Sequence, residues 1–460
     1  MRCPSHITKG KPRRAQAGSV LIIVLWISIG LVSIALYFAN SMNYELQAAD
    51  NRVSGEAADQ AIEGAARYVE YVLATYGTNG VMPNTNSFQC AAVPVGQAKF
   101  WLIGRDPNNE NPTTPVFGLV DEAAKLNLNG ISTNVLQYLP NMSSDFADAI
   151  MDWRGTNGVV SLDYASLGYE AKNAPFETVD ELRLVYGATM NQLVGDDLNR
   201  NGVLDANETS LTGNGQVNYG LVEYTTVYTR EPNFNTNGVL YTNVNSTAQS
   251  AQANLTQLLT SAGVSGATAM ARSIYQHVKP PRGTGTPFTG LFGFCLFCKN
   301  LGMSSQSFAN LSSSITTTTN TYIRARVNVN DANDDVLTAL FMGLNIDQST
   351  AESAATTLIN YRSQNTNQLS SVAWVIDALG NNSPVVTALA RGDYVTTHTY
   401  QFAADIAAVG PFGRGYRRVR FIFDTSDGTP KILYRQDLSR LGWALGDPVR
   451  QQLLAAKDTP

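Results

Sequence analysis

Between Ser19 and Ala39 the chain runs for 21 residues without a charge, and the first acid after it is Glu45. At about 1.5 Å per residue, a helix of this length crosses the roughly 30 Å hydrocarbon layer of a bilayer. Five basic residues precede it, Arg2, Lys9, Lys11, Arg13 and Arg14, with no acid among the first 18 residues. Such a flank keeps the N-terminus in the cytoplasm and sends the body outward. A cleavable secretory signal would have a shorter apolar core and a small-residue cleavage site behind it, and this stretch has neither. The segment continues into "NYELQAADNRVSGEAADQAIEGAARYVEYVLATYG" without a proline. Val53, Ala57, Ala61, Ala65, Tyr68 and Val72 recur there at steps of three and four. One helix of about 55 residues is therefore expected to begin in the membrane, pack on a soluble domain and stop near Gly77.

The remaining chain is long enough for two or three domains with real cores. Of its 460 residues 44% are hydrophobic and 15% charged, a folding composition rather than a disordered one. Without the five leader cations, 27 basic residues face 37 acids. An acidic body of this kind argues against nucleic acid as a partner. Of the four cysteines, Cys3 lies in the leader and Cys90 is isolated. Cys295 and Cys298 form a C-x-x-C pair that suits a local disulfide or free thiols, with metal or redox work as the other reading.

Strand signals lie at both ends of a long middle. "GQAKFWLIGRD" and "TPVFGLVDEAAKLNLN" read as a hairpin, and "HTYQFAADIAAVG", "GYRRVRFIFDTSDG" and "PKILYRQDLSRLG" as three antiparallel strands. Val419, Phe421 and Phe423 fall on one face of the second of these, Arg418 and Arg420 on the other. One sheet interrupted by an insertion is expected. The middle repeats itself: "KLNLN" at Lys125–Asn129, "YTNVN" at Tyr241–Asn245 and "RVNVN" at Arg326–Asn330 each precede two helical patterns. The second pattern ends in Trp153-Arg154, Gln276-His277 or Tyr361-Arg362. The asparagines are expected to cap the helices that follow. These units resemble helix-hairpin-helix or SAM-like modules, some of which bind DNA. A DNA-binding hairpin needs paired glycines and neighbouring cations. Of the turns "LPNMSSD", "AGVSGAT" and "GLNIDQS" only the second has the glycines, so a scaffold role is expected.

The basic leader ending in Gly18, directly before the apolar helix, resembles a class III prepilin signal. In that family the prepilin peptidase cuts after this glycine and methylates the new terminus, here Ser19. Most members carry Glu at the fifth mature position, where this chain has Ile23. Together with "YEAKNAPFETVDELRLVYGAT" (Tyr169–Thr189), "VDEAAKLNLN", "RVNVN" and "ILYRQDLSRLG", the ordered pattern resembles the minor pseudopilin K family of the type II secretion system, over nearly the whole chain. That family generally lacks the Glu as well.

The resemblance implies an α+β fold, with a pilin-like long N-terminal helix packed on an antiparallel sheet and a large, mostly α-helical insertion. The corresponding layout is a leader over 1–18, a helix over 19–77 with its membrane part at 19–39, and a first pilin-like part over 78–124. The insertion then takes 125–395, the last strands 396–446 and a tail 447–460. The implied function is non-enzymatic: an inner-membrane protein with a periplasmic body at the tip of the pseudopilus, partnered by I- and J-type minor pseudopilins and the major pseudopilin. The runner-up reading is a membrane-anchored DNA-binding module of the competence type.

One motif stands apart from this framework. "DLNRNGVLDANE" matches the D-x-[DN]-x-[DN]-G-x5-E spacing of a calcium loop. Asp197, Asn199 and Asn201 would supply side-chain oxygens and Val203 its carbonyl. Asp205 would ligate directly or through water, and Glu208 would be bidentate. Oxygen ligands without Cys or His favour Ca²⁺ over Zn²⁺. Asp331, Asn333 and Asp335 are a weaker second candidate that helix capping explains equally well. His6, His277 and His398 sit in no recognisable catalytic pattern, and no nucleophile elbow, zincin or P-loop motif occurs.

Overall fold

The computed structural model describes residue 10 and residues 17–109, 111–156, 162–211, 213, 215–235 and 237–457. The basic residues of the leader, with Cys3 and His6, lie outside the described residues. The chain is a mixed α+β protein built on helix α1, Ala17–Tyr76, which contains Gly18 and Ser19. It is long and apolar enough at its N-terminal end to cross a membrane. From Val20 to Val53 its large apolar side chains are exposed. Burial starts at Ser54 and recurs at Ala58, Ala61, Ile62, Ala65, Ala66, Val69, Val72 and Leu73. The buried stripe is therefore one residue out of step with part of the expected one. Val53 is exposed and Ala57 only half-buried, because the sheet meets the Ala58 side of the helix. Gly77 closes the helix by donating to the Leu73 carbonyl.

The sheet is antiparallel throughout and comprises β1 (Val93–Val95), β2 (Ala98–Ile103), β3 (Val120–Asp121), β4 (Gln401–Val409), β5 (Arg417–Asp424) and β6 (Lys431–Asp437). Its order is β1-β2-β4-β5-β6, with β3 on the other end of β4. The expected hairpin of β2 with the following segment shrinks to one bridge, Ile103 to Phe117. The main partner of β2 is instead β4, from the far end of the chain. Phe100, Leu102, Phe402, Ala404, Ile406, Val419, Phe421 and Phe423 cover α1 from one face. Arg418 and Arg420 project from the opposite face toward the helical body. The last described residues, within the expected tail, form a helix, Gly446–Lys457.

The helical body contains three units of one plan. Each opens with a two-residue strand, runs through four α-helices and closes with a second two-residue strand parallel to the first. The pairs are Leu126–Asn127 with Thr225–Thr226, Thr242–Asn243 with Ile315–Thr316, and Val327–Asn328 with Val395–Thr396. The first two helices of each are Thr133–Leu136 and Ser144–Arg154, Ala251–Ser261 and Ala267–Val278, and Asp334–Gly343 and Gln348–Gln364. The last two are Met190–Val194 and Leu221–Tyr224, Leu291–Asn300 and Ser305–Ser312, and Ala373–Leu379 and Pro384–Leu389. The paired asparagines do not cap these helices. The first of each pair bends the chain by accepting from the amide two residues on, at 2.9, 2.9 and 3.1 Å. The second reaches across to another loop: Asn129 to Phe176, Asn245 to Phe288, Asn330 to Leu369 and Trp374. Arg154 and Arg362, which end the second helices of units one and three, donate to the carbonyls of these same turns, at Leu128 and Ile131 and at Val329 and Ala332. In unit two His277 stands in that place and stacks on Phe288, 4.8 Å between centroids.

Because Ala65 has no accessible surface beneath the sheet, Ala65→Leu overpacks the helix–sheet contact. The expected cost is about 1–3 kcal/mol. It should appear as a lower urea midpoint with unchanged slope, measured on the full chain in lipid nanodiscs.

Candidate functional site

The loop Asp197–Glu208 folds back on itself around its acidic side chains. Arg200 and Gly202 both adopt positive φ, at 57° and 86°, and a Cβ on Gly202 would meet the Arg105 side chain at 3.1 Å. Only glycine satisfies both limits there. Asp197 accepts from the amides of Asn201 and Gly202, at 2.9 and 2.7 Å. Glu208 spans the loop, taking the Asn199 amide on Oε1 at 3.1 Å and the Asp205 amide on Oε2 at 3.0 Å. The side-chain amides of Asn199 and Asn201 both donate to Asp205 Oδ2, at 2.6 and 2.9 Å. Asn201 Oδ1 accepts from the Val203 amide at 2.9 Å. Asn199 Oδ1 is buried without a partner.

The five acidic and amide side chains of the sequence motif are thus gathered in one loop, and Val203 is buried within it. Burial raises the Asp197 carboxyl to about 6 although Arg105 pulls it down, and burial raises Glu208 also. The three carboxylates do not converge on one point, and among the described residues no cluster of three or more His, Cys, Asp or Glu is placed to hold a metal. A cation here would rely on amide and main-chain oxygens as well as carboxylates, a donor set that suits Ca²⁺. The orphaned Asn199 oxygen is the atom that most clearly lacks a positive neighbour. The segment after the loop, Thr209–Leu211, is not helical.

What the sequence does not reveal is the seat of this loop. Arg418, wholly buried on β5, holds Asp405 of β4 through two bonds of 2.8 and 2.6 Å. The same guanidinium donates to the carbonyls of Asn199 and Arg200. Arg105, just past β2, pairs with Glu223 at 2.7 and 3.0 Å and also reaches the Arg200 carbonyl. Burial alone would raise the Glu223 carboxyl, but Arg105 and Lys125 outweigh it and hold the group at about 2. Asn199 also donates to the Trp443 carbonyl. Beside this clasp, Glu122 takes Arg420, Lys125 and Thr226 at 2.9, 3.1 and 2.6 Å.

The second candidate disperses. Asn333 caps the helix Asp334–Gly343, Asp335 accepts from the Tyr224 hydroxyl, and Asp331 turns to Asn328 and Asp121. Burial, then the Asp331 charge, raises the Asp121 carboxyl well above its ordinary range. The geometry of helix capping and buried bonding takes these side chains apart. Cys295 and Cys298 are free thiols on one helix, Leu291–Asn300, and burial raises both. His277 lies between the rings of Phe288 and Phe297, and burial with the nearby Arg326 charge holds His398 neutral down to about pH 4. No family model matches this chain, and no curated protein matches it in sequence.

Arg418→Leu would strand Asp405 in the interior. A loss of roughly 3–5 kcal/mol is expected, most of it recovered when Asp405→Leu is added. Denaturation of the two single variants and the double variant checks this, and additive losses would contradict a coupled pair.

Proposed function

We propose that the protein is a minor pseudopilin of the K type, anchored in the inner membrane with its body in the periplasm, which caps or initiates the pseudopilus of a type II secretion system. The observation that carries this reading is the division of α1. One unbroken helix of 60 residues has an exposed, uncharged first part and a last part packed on a sheet whose strand order is broken by a large helical insertion. That arrangement suits a subunit which shares its first part with lipid and neighbouring helices and displays a bulky head. Ile23 supports a tip position: a subunit with nothing stacked above it needs no carboxylate to neutralise a neighbour's ammonium in the membrane, where a lone charge is costly. The helical body on the sheet would block further stacking. The partners on this reading are I- and J-type minor pseudopilins, the major pseudopilin and the prepilin peptidase. Catalysis and nucleic acid have no place in it.

The loop at 197–208 is read as a structural Ca²⁺ site. Asp197, Asn199, Asn201, Asp205 and Glu208 would hold the ion by their side chains and Val203 by its carbonyl. The ion would supply positive charge to a loop that now satisfies its carboxylates with amides alone. The loop has no second helix to move, so bracing rather than signalling is the role.

Mass spectrometry of the mature N-terminus, with and without the prepilin peptidase, tests the assembly reading. A chain beginning at methylated Ser19 only when the peptidase is present is the expected result. A chain retaining Met1, or cut after Ala39, would sink it. For the loop, millimolar Ca²⁺ is expected to raise the thermal midpoint of the full chain by roughly 5 °C, and Asp197→Ala to abolish that rise. A wild-type chain indifferent to chelator would refute the site.

A further inference from the structure

We propose that a cavity of about 410 Å³ between units two and three binds a neutral saccharide, free or as the end of a glycan. It lies where the closing strands Ile315–Thr316 and Val395–Thr396 approach the antiparallel pair formed by Arg230–Pro232 and Tyr322–Arg324. Its volume falls in the range of small-molecule sites and admits roughly one or two sugar rings.

The charges in its wall are consumed within the wall. Arg326 is forked onto Asp393 at 2.8 and 2.7 Å, and its third nitrogen stands 3.4 Å from Glu231. His398 is neutral at any physiological pH. An ionic ligand would find no free counter-charge, and desolvating it would go uncompensated. Hydrogen-bonding capacity, by contrast, is left over. The hydroxyls of Tyr241 and Tyr400 and the ring of His398 bond to no other described residue, and all three residues line the cavity. Burial raises both phenols, so they remain donors. Asn233 spends its amide hydrogens on the carbonyls of Thr318 and Asn320, at 3.2 and 2.7 Å, while its buried oxygen has no partner. Ile315, Ile323 and Val395 line the same space with apolar surface. Uncharged donors and an acceptor alternating with aromatic and aliphatic faces match a ring that carries hydroxyls on its edge and C–H groups on its faces. A purely apolar ligand would leave these groups unpaired. This inference stands independently of the assembly reading.

The test uses the full chain in lipid nanodiscs, free of sugar-headed detergent, with N,N′-diacetylchitobiose and maltose as probes in titration calorimetry and saturation-transfer NMR. At least one of the two is expected to bind, with glucose 6-phosphate about tenfold weaker or worse. Ser313, exposed at the rim, gives a plug: Ser313→Trp should abolish binding at an unchanged thermal midpoint. Should that variant fold poorly, Tyr241→Phe removes one hydroxyl only and should weaken binding about tenfold. Absence of binding by both disaccharides up to their solubility, or binding that Ser313→Trp and Tyr241→Phe leave untouched, overturns the proposal.

Discussion

Arg418 carries a full charge in a place with no accessible surface, and its surroundings explain why that is tolerated. Taking a guanidinium out of water costs several kcal/mol unless geometry and added hydrogen bonds repay it. Asp405 on the neighbouring strand supplies two bonds, and the carbonyls of Asn199 and Arg200 take further donors. A planar fork offers these directions at once, which a lysine could not. The contact is therefore specific in angle as well as in partner. An apolar contact of equal area would let the loop slide over the sheet, whereas this one holds two consecutive carbonyls in register with β5. Arg105 repeats the device from the far side of β4, through Glu223 and the same Arg200 carbonyl.

The two faces of the sheet are consequently held by different physics. Small and aromatic residues meet α1 on one face, where burial is non-directional and the helix needs only the right period. On the other face directional ion pairs meet loops, which have no period to offer, beside a smaller apolar cluster of Trp101, Ile103, Ala407, Val409, Ala444 and Leu445. Within the helical body the same economy recurs. Each unit closes on itself through a parallel two-residue bridge, too short to be stable alone. Arg154 and Arg362 reach from a helix end to the turn that opened the unit, so the last residue of the pattern secures the first. In unit two an aromatic stack on Phe288 takes over that task.

These differences decide what was legible in the sequence. The length of α1 and its stop at Gly77 could be read, because an uncharged run and a 3.6-residue stripe persist over many turns. The three C-terminal strands showed through alternation in "RRVRFIF". The paired asparagines announced three units but not their closure. The closing strands are only two residues long, and all they share is one threonine, Thr226, Thr316 or Thr396, opposite the first asparagine of the opening strand, which no periodicity test detects. The loop at 197–208 was visible because its side chains are spaced along one short segment. Its seat was not, since Arg105, Asp405 and Arg418 are joined only by the fold and carry no common spacing.

The position of that seat has a mechanical consequence. Both covalent links between the sheet and the helical body lie at one end of β4. β3, from which the chain leaves, pairs with Phe402 and Ala403, and the closing strand Val395–Thr396 returns directly into Gln401. Two links so close together form a hinge, about which the body could rock. Asp405 stands three residues further along the strand, about 10 Å away, and there Arg418 grips the loop. A third point off the line of a hinge converts it into a tripod. The loop shares the holding of the body at an angle to α1 with ties on the β5–β6 side of the sheet, where Tyr228 stacks on Tyr434 at 6.0 Å and the Tyr322 hydroxyl donates to Asp427 at 2.6 Å. A loop whose carboxylates answer to amides alone can still flex around its centre. One filled by a cation would be braced from within, and the helical body would follow α1 more nearly as a single piece.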